Sequence, residues 1–571
     1  MPPVPDGTVH PFSPGGPSER GLVTYPEKAV AEYRATGYWT GRTLPAELRA
    51  AAHEHADRQA LITPEVALTY EELFTLAENF AAGLVEATEL WPGDAVMFQM
   101  GNVAETVVSY LGCLLAGIRP VCTLPQHGVR EISVLARHVG ARGLILQADF
   151  GRGQLPDQAR QLMSDGVITE VVVARGPAFG SALTYDALLR VGEVVDSAHL
   201  PYHSLSPDQI AVFQLSGGTT GLPKVAPRLH EEYTYNSVAW ATTLNWGPGT
   251  VALYPLPIMH NAGISVGLQP ALLTGATLVL APTAGIPALL DLIEATRPDA
   301  LPLVPPALAV RLLEEPRSRQ VDLSSIKTFI VGGQKLALET AERLRDVLGI
   351  SIRQKFGMAE GMFLVTPSDA GEEVRHHTVG SPISPADEIR ILHPDGKSEV
   401  PDGALGELCV RGPYTIRGYF RAEQHNAAAF TADGFYRTGD LARRRIVDGM
   451  AYYSIDGRIK DVINRGVEKI HADEVEELIM RHPDVVNAAL VAMPDKVLGE
   501  RGCAYLVLKP AAAPPTVASL GVFLLGEGLA RYKLPERVEL IESLPLSNVG
   551  KVAKKALRED IAMKLAAEPH V

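Results

Sequence analysis

Short apolar runs of strand length alternate with stretches of helical periodicity along most of this chain, which confines it to layered α/β architecture with parallel strands. Asp94–Gln99, Arg119–Thr123, Gly143–Gln147 and Val167–Ala174 read as strands, with a helix over Ala104–Ala116. Another helix opens at Leu68–Leu73: Thr69 is its N-cap candidate, Glu72 stands three residues on, and Phe74, Leu76, Phe80 and Leu84 extend the apolar face. A second series follows, with strands at Val251–Leu256, Ala276–Ala281, Ala300–Val304 and Thr328–Gly333 and a buried helix over Val266–Leu273. Arg353–Gly357 and Leu364–Thr366 flank an acidic turn, Met358-Ala359-Glu360-Gly361. From Asp387 to about Asp456 the texture changes to short strands and turns, a small β-rich unit, and helix–strand alternation resumes at Ala472. The best linker is the polar joint Asp456–Asp461. Tyr25–Gly41 reads as a helix and turn, and the first 20 or so residues as a loose arm.

One loop in this series carries chemistry. Gln209–Leu215 is a strand-like run, and Ser216-Gly217-Gly218-Thr219-Thr220-Gly221-Leu222-Pro223-Lys224 follows it. Glycine lets backbone N–H groups approach an anion, the hydroxyls add donors, and Lys224 adds charge. The pattern suits a phosphate cradle, and equally a flexible surface loop. It is not the Gly-Lys-Ser/Thr arrangement that opens the helix of a P-loop nucleotidase, because Leu222-Pro223 separates the last glycine from the lysine.

The 571 residues suggest roughly two to four folding units. A net charge of −14, spread along the chain, argues against nucleic acid or an anionic membrane as partner. Cys113, Cys122, Cys409 and Cys503 form no C-x-x-C pair and sit in apolar runs, as expected of buried thiols in a reducing cytoplasm. The Pro/Gly/Ser-rich start lacks a signal peptide's basic and apolar regions. The apolar region Gly263–Ile293 is broken by Gly, Pro and Gln269 and reads as core rather than a membrane span.

Several stretches agree in order and spacing with one family. The Ser216–Lys224 loop, Phe356-Gly357-Met358-Ala359-Glu360, Tyr436-Arg437-Thr438-Gly439-Asp440, Gly457–Asp461 and Leu544-Pro545 through Gly550-Lys551-Val552 together resemble the adenylate-forming (acyl/aryl-AMP ligase) superfamily over residues 25 to 565. Pro227–His230, His260-Asn261, Gln354–Gly361, Arg411–Thr415, Arg531–Pro535 and Tyr33–Trp39 resemble its stand-alone aryl-acid branch, which activates 2,3-dihydroxybenzoate or salicylate for siderophore assembly.

The resemblance implies an N-terminal adenylation domain, residues 1–459, of two layered α/β subdomains and a small β-rich one. It also implies a mobile α+β lid, residues 460–571, that pivots at Lys460 and brings the loop around Gly466 to a thiol tunnel. The cofactors implied are ATP and Mg²⁺, with Glu360 as metal ligand. ATP or AMP would be held by Ser216, Gly217, Gly218, Thr219, Thr220, Gly221, Lys224, Gly332, Gly333, Gln334, Phe356, Gly357, Met358, Ala359, Asp440 and Arg458. Lys551 would bridge carboxylate and α-phosphate; Glu360 and His260 complete the implied catalytic set. Taken alone, Glu360 suits a surface turn and His260 a hydrogen-bonded buried turn.

The implied acid pocket is His260, Asn261, Ala262, Val266, Gly332, Lys355, Gly361 and Phe363, and here the chain departs from the usual dihydroxybenzoate pattern. Ala262 stands where Tyr is common, Val266 replaces a small polar residue, and Lys355 and Phe363 replace valines. Lys355 needs an anionic or acceptor partner unless it reaches out to water. The expected substrate is a 2-hydroxyaryl acid other than plain 2,3-dihydroxybenzoate: salicylate, a substituted salicylate, 3-hydroxypicolinate or a quinaldate-like bicycle. The thiol acceptor would be an aryl carrier protein in trans, or free CoA. A ligand-binding relative without turnover is the non-enzymatic alternative.

Overall fold

A computed structural model describes residues 19–195, 197, 200–216, 224–333, 336–393, 396, 398–466, 468–495, 497–546 and 551–567, with only the backbone of Lys469. Two large sheets, counted over these residues, dominate the N-terminal part. The first has seven strands in the order Leu183–Thr184, Glu170–Ala174, Ala141–Gln147, Ala95–Gln99, Arg119–Val121, Ile210–Ser216 and Lys224–Leu229. All neighbours are parallel except the last pair. The second has nine: Ser381–Pro382, Gly361–Val365, Ile352–Met358, Thr328–Gly332, Ala300–Val304, Val251–Tyr254, Thr277–Leu280, Gln59–Ile62 and Ala67–Thr69. Its centre is parallel and both its ends are antiparallel. The parallel expectation therefore holds for the sheet centres. A short hairpin link can join only antiparallel strands, and such links add Gly361–Val365 beside Ile352–Met358 and Ala67–Thr69 beside Gln59–Ile62, whereas Ser381–Pro382 is reached through the helix Glu372–His377.

The main core draws on both sheets and on the helices Tyr70–Ala87, Ala104–Leu115 and His230–Thr243. Phe80, Tyr110, Tyr233 and Trp240 are fully buried there, each contributing roughly 1.5–3 kcal/mol by burial. The expected start of the Tyr70 helix is confirmed: the Glu72 N–H donates to Thr69 Oγ1 at 3.2 Å, and the Thr69 N–H to Glu72 Oε2 at 2.8 Å. The expected helix over Val266–Leu273 begins earlier, as a π-helical turn over Gly263–Leu268 that passes into an α-helix over Gln269–Leu273. Gln269 is buried because its amide is used: Nε2 donates to the Tyr110 hydroxyl at 2.7 Å and Oε1 accepts from Ser237 at 2.7 Å.

The β-rich unit is an antiparallel sheet of Glu388–Leu392, Gly406–Arg411, Tyr436–Val447 and Met450–Arg458. Its core joins the Ile352–Val365 hairpin through Met362, Leu364, Tyr419 and Tyr436. The last strand runs into a single 3₁₀ turn, Ile459–Asp461, at the expected joint. Beyond it, Val462–Arg465, Glu468–His471, Val485–Asp495, Gly499–Leu508 and Arg537–Leu540 form a smaller sheet. Ala472–Ile479 and Val517–Gly526 cover one face, and Lys554–Ala567 the other. All four cysteines are buried free thiols, and among the described residues no helix is long and apolar enough to cross a membrane.

Candidate active site

The glycine loop closes a hairpin. Ser216 and Lys224 are paired across the antiparallel strands that lead into and out of it. Gly217, Gly218, Thr219, Thr220 and Gly221 lie outside the described residues, as does Gln334. The flanks are well placed. Ser216 Oγ donates to Glu360 Oε1, 144 positions away. Lys224 Nζ meets His425 Nε2 at 2.7 Å and lies 5.1 Å from the Tyr419 ring centroid. Burial lowers the Lys224 pKa, and Glu360 opposes the shift.

Glu360 sits at the tip of the Ile352–Met358/Gly361–Val365 hairpin, with Phe356, Gly357, Met358 and Ala359 leading into it. It is only 4% exposed. The Tyr419 hydroxyl also donates to Oε1, and Tyr419 and Tyr436 join their hydroxyls at 2.8 Å. Gly361 has φ +101, and a Cβ there would collide with the Tyr414 carbonyl, so glycine is required. Arg228, fully buried, donates to the carbonyls of Ala359 at 3.1 Å and Tyr414 at 3.2 Å. Glu232 neutralises it through two hydrogen bonds at 2.9 and 2.8 Å.

Asp440 and Arg458 face each other across neighbouring strands, Nε to Oδ1 at 2.7 Å. Burial raises the Asp440 pKa, against the pull of Arg458 and Lys551. Lys551 reaches this group from the far end of the chain. A Cβ built on Gly333 (φ +91) would lie 3.6 Å from Lys551 Cε. Solvent reaches the lysine, yet the surrounding protein and Arg458 lower its ammonium pKa, while Asp440 and Glu360 oppose the shift. The residues predicted at Glu360, Asp440, Arg458, Gly333 and Lys551 thus form one cluster. At Gly332 a Cβ would crowd Leu303 Cδ1 at 2.9 Å and the Lys355 carbonyl at 3.1 Å.

The predicted pocket residues converge beside it. Asn261 accepts from the Tyr233 hydroxyl at 3.2 Å and donates to the Met358 carbonyl at 3.4 Å, leaving one amide N–H for a ligand. His260 Nδ1 accepts from the Ala262 N–H at 3.3 Å. Burial, then Lys551 and Lys355, push its pKa down to about 4, so the ring is neutral near pH 7. Lys355 Nζ stands 3.9 Å from the Phe363 ring centroid and 5.1 Å from that of Trp240. Trp240 donates to the Val266 carbonyl at 3.1 Å.

Residues 48–420 match the family described as AMP-binding enzyme, and residues 474–551 the AMP-binding enzyme C-terminal domain. The chain belongs to the AMP-binding enzyme family. Within it, the chain is 39% identical to the 2,3-dihydroxybenzoate-AMP ligase of Bacillus subtilis over 551 residues, 96% of this chain and 99% of that one. It is 38% identical to the salicyl-AMP ligase / salicyl-S-ArCP synthetase of Mycobacterium tuberculosis, covering 98% of this chain and 97% of that one. The apo structure of Mycobacterium smegmatis MbtA superposes with a TM-score of 0.71 at 38% identity, covering 95% of this chain and 99% of that one.

For a member of this family, the site holds residues that sequence reasoning missed. Trp240 packs beside Lys355 and Phe363 from a helix buried nearly all round, so no apolar stripe marked it. Tyr419 and His425 belong to none of the quoted motifs. Arg228, within the quoted Pro227–His230 stretch, stands four positions before Glu232, where the strand Lys224–Leu229 passes into the helix His230–Thr243, but nothing showed that this charge pair is buried beneath the Glu360 hairpin. Gly466 remains apart: its N–H donates to the Leu498 carbonyl at 2.7 Å, and no contact among the described residues joins it to the Lys551 cluster.

Proposed function

We propose that the chain uses ATP to activate a 2-hydroxyaryl carboxylic acid and passes the aryl group to the phosphopantetheine thiol of an aryl carrier protein. The observation that carries this reading is Lys551 of the C-terminal domain, seated over Gly333 beside Asp440 and Glu360. In the first step a carboxylate oxygen attacks the α-phosphorus and pyrophosphate leaves. Two anions must meet, so the site supplies positive charge and alignment. Lys551 stabilises the charge shared between the entering oxygen and the α-phosphate. Asp440 accepts from the ribose hydroxyls, and Arg458 adds a donor. Gly332 and Gly333 give the adenine a bare slot. Lys224 and the glycine loop hold the outer phosphates. In the second step the thiol sulfur attacks the acyl carbon, its proton is lost, and AMP departs.

Glu360 fits a Mg²⁺ site. It is a buried carboxylate beside the phosphate loop, and two hydroxyls bond one of its oxygens and so fix its orientation. Among the described residues no cluster of three or more His, Cys, Asp or Glu could hold a metal alone. The cation's other ligands would therefore include phosphate oxygens, and when bound it supplies charge neutralisation.

The neutral His260 lines the acid side and holds its ring through the Ala262 amide. The boundary between residues 1–459 and 460–571 falls in the Ile459–Asp461 turn, with Lys460 as pivot and the Gly466 loop delivered to the thiol path on rotation. Acid-dependent ATP–pyrophosphate exchange over a panel of 2-hydroxyaryl acids tests the first step. Loss of free thiol on holo carrier protein or CoA tests the second and separates the two acceptors. Exchange with no acid in the panel would overturn the reading.

A further inference from the structure

Lys355 is the one lysine of the predicted pocket, and the reaction above leaves it without a task. It is paired in register with Gly332 on the neighbouring parallel strand, so their side-chain positions share a face, and Gly357 two residues on shares it too. With glycine on both sides, the lysine stem can lie flat along this face. A Cβ built on Gly357 would come within 3.0 Å of Lys355 Nζ and 2.6 Å of Phe363 Cδ1. The ammonium is therefore held between the bare strand, the Phe363 ring and Trp240, whose rings meet edge to face at 5.8 Å. Through Trp240 this cage touches Val266.

Little of the side chain reaches water: the residue is 8% exposed. Among the described residues its ammonium donates no hydrogen bond and meets no carboxylate. The aromatic faces give it partial compensation. The one charge that acts on it appreciably is Lys551, which repels it; burial, then this repulsion, push its pKa down to about 7. Near neutral pH the amine is therefore poised between its two forms, and its charged form, with three donor positions and only ring faces for company, is poorly compensated unless a ligand acceptor completes it. Lys551 takes the carboxylate end of the acid, so Lys355 is left to meet the ring.

We propose that Lys355 determines specificity by selecting an aromatic acid with a hydrogen-bond acceptor, a ring nitrogen or an anionic or carbonyl substituent, on the edge that faces its ammonium. This deepens the adenylation reading and rests on it. Ala262 and Val266 leave the adjoining wall apolar, so the acceptor interaction is the selective element.

The test is ATP–pyrophosphate exchange by the full-length protein and its Lys355→Met variant with three acids. Salicylate has no added acceptor, 3-hydroxypicolinate places a ring nitrogen where salicylate has C–H, and 2-hydroxyisophthalate adds a carboxylate beside the hydroxyl. The wild type should favour one acceptor-bearing acid over salicylate in kcat/KM by about 10-fold or more, as expected for a hydrogen bond to a charged group. Which acid wins identifies the source of the acceptor. Lys355→Met should abolish or reverse that preference, and its ligand-free melting temperature should rise, because a buried amine without a hydrogen-bond partner has been replaced by an apolar side chain. Salicylate as the best acid for the wild type, a preference that survives in Lys355→Met, or a lower melting temperature for the variant would each overturn the proposal. Exchange with no acid in either protein would instead bring down the adenylation reading, and this inference with it.

Discussion

Gly333 lies directly beneath Lys551: a Cβ on the glycine would stand 3.6 Å from the lysine Cε. The C-terminal domain thus brings this lysine against a bare glycine of the N-terminal domain, the arrangement that the proposed acid activation uses. Lys551→Ala should lower the pyrophosphate exchange rate about 10²–10³-fold, the loss seen when one preorganised charge stabiliser is removed. Lys555→Ala is the control. Lys555 is exposed and, among the described residues, pairs only with Glu559 on its own helix, so exchange should be unchanged.

Glu360 accepts two hydroxyl hydrogen bonds, and Gln at this position can still accept them. Glu360→Gln therefore removes charge while keeping shape. Its magnesium requirement for half-maximal exchange should rise at least about tenfold, since even outer-shell partners of a metal have effects of that size. A magnesium titration of initial rates reads this directly, and chelation should abolish exchange in both proteins.

Arg228 is buried with Glu232 as its counter-ion and ties the Ala359 carbonyl of the Glu360 hairpin to the Tyr414 carbonyl of a neighbouring segment. Glu232→Gln leaves a buried guanidinium without its neutralising charge. Unfolding in denaturant should show a loss of about 3–5 kcal/mol, with less exchange activity in the fraction that remains folded.

Asp387 accepts from the Tyr414 hydroxyl at 2.7 Å, and that hydroxyl accepts from the Phe363 N–H at 3.1 Å in the pocket wall. Burial raises the Asp387 pKa to about 8 from an ordinary value of 3.8. The folded state holds this proton more tightly than the unfolded one, so its contribution is complete below pH 4 and is lost as pH climbs toward 8. Asp387→Asn cannot titrate, and its melting temperature should vary less with pH over that window than the wild type's.

Lys460 lies in the single turn between the two domains. Proline there fixes φ and would stiffen the proposed pivot. Lys460→Pro should retain pyrophosphate exchange while transfer to the thiol falls, as read by rapid quench of the two half-reactions. An equal fall in both would place the pivot elsewhere.

The sheet strands and the Tyr70 helix were legible because their periodicity is local, and Thr69 with Glu72 marks a helix start whatever lies around it. Lys551, Asp440 and Glu360 could be named by motif, but no local pattern shows that residues so far apart in sequence meet at one slot. Trp240 left no trace, since its helix is packed on most sides and presents no polar face to set it off. The Met358–Gly361 turn was visible; the strand continuing through Met358, the left-handed φ at Gly361 and the guanidinium bracing the tip were not, because all three depend on Tyr414 and Arg228 arriving from other elements.

An acyl-adenylate is a strong electrophile, and a protein that makes one risks modifying itself. Cys113, Cys122, Cys409 and Cys503 are all enclosed, and burial raises each thiol's pKa, Cys409 and Cys503 to about 12. Thiolates are the attacking species, and near neutral pH these groups furnish almost none. The chain's own thiols are therefore no sink for an acyl-adenylate, and on the proposed reading the first competent sulfur the product meets is that of its acceptor.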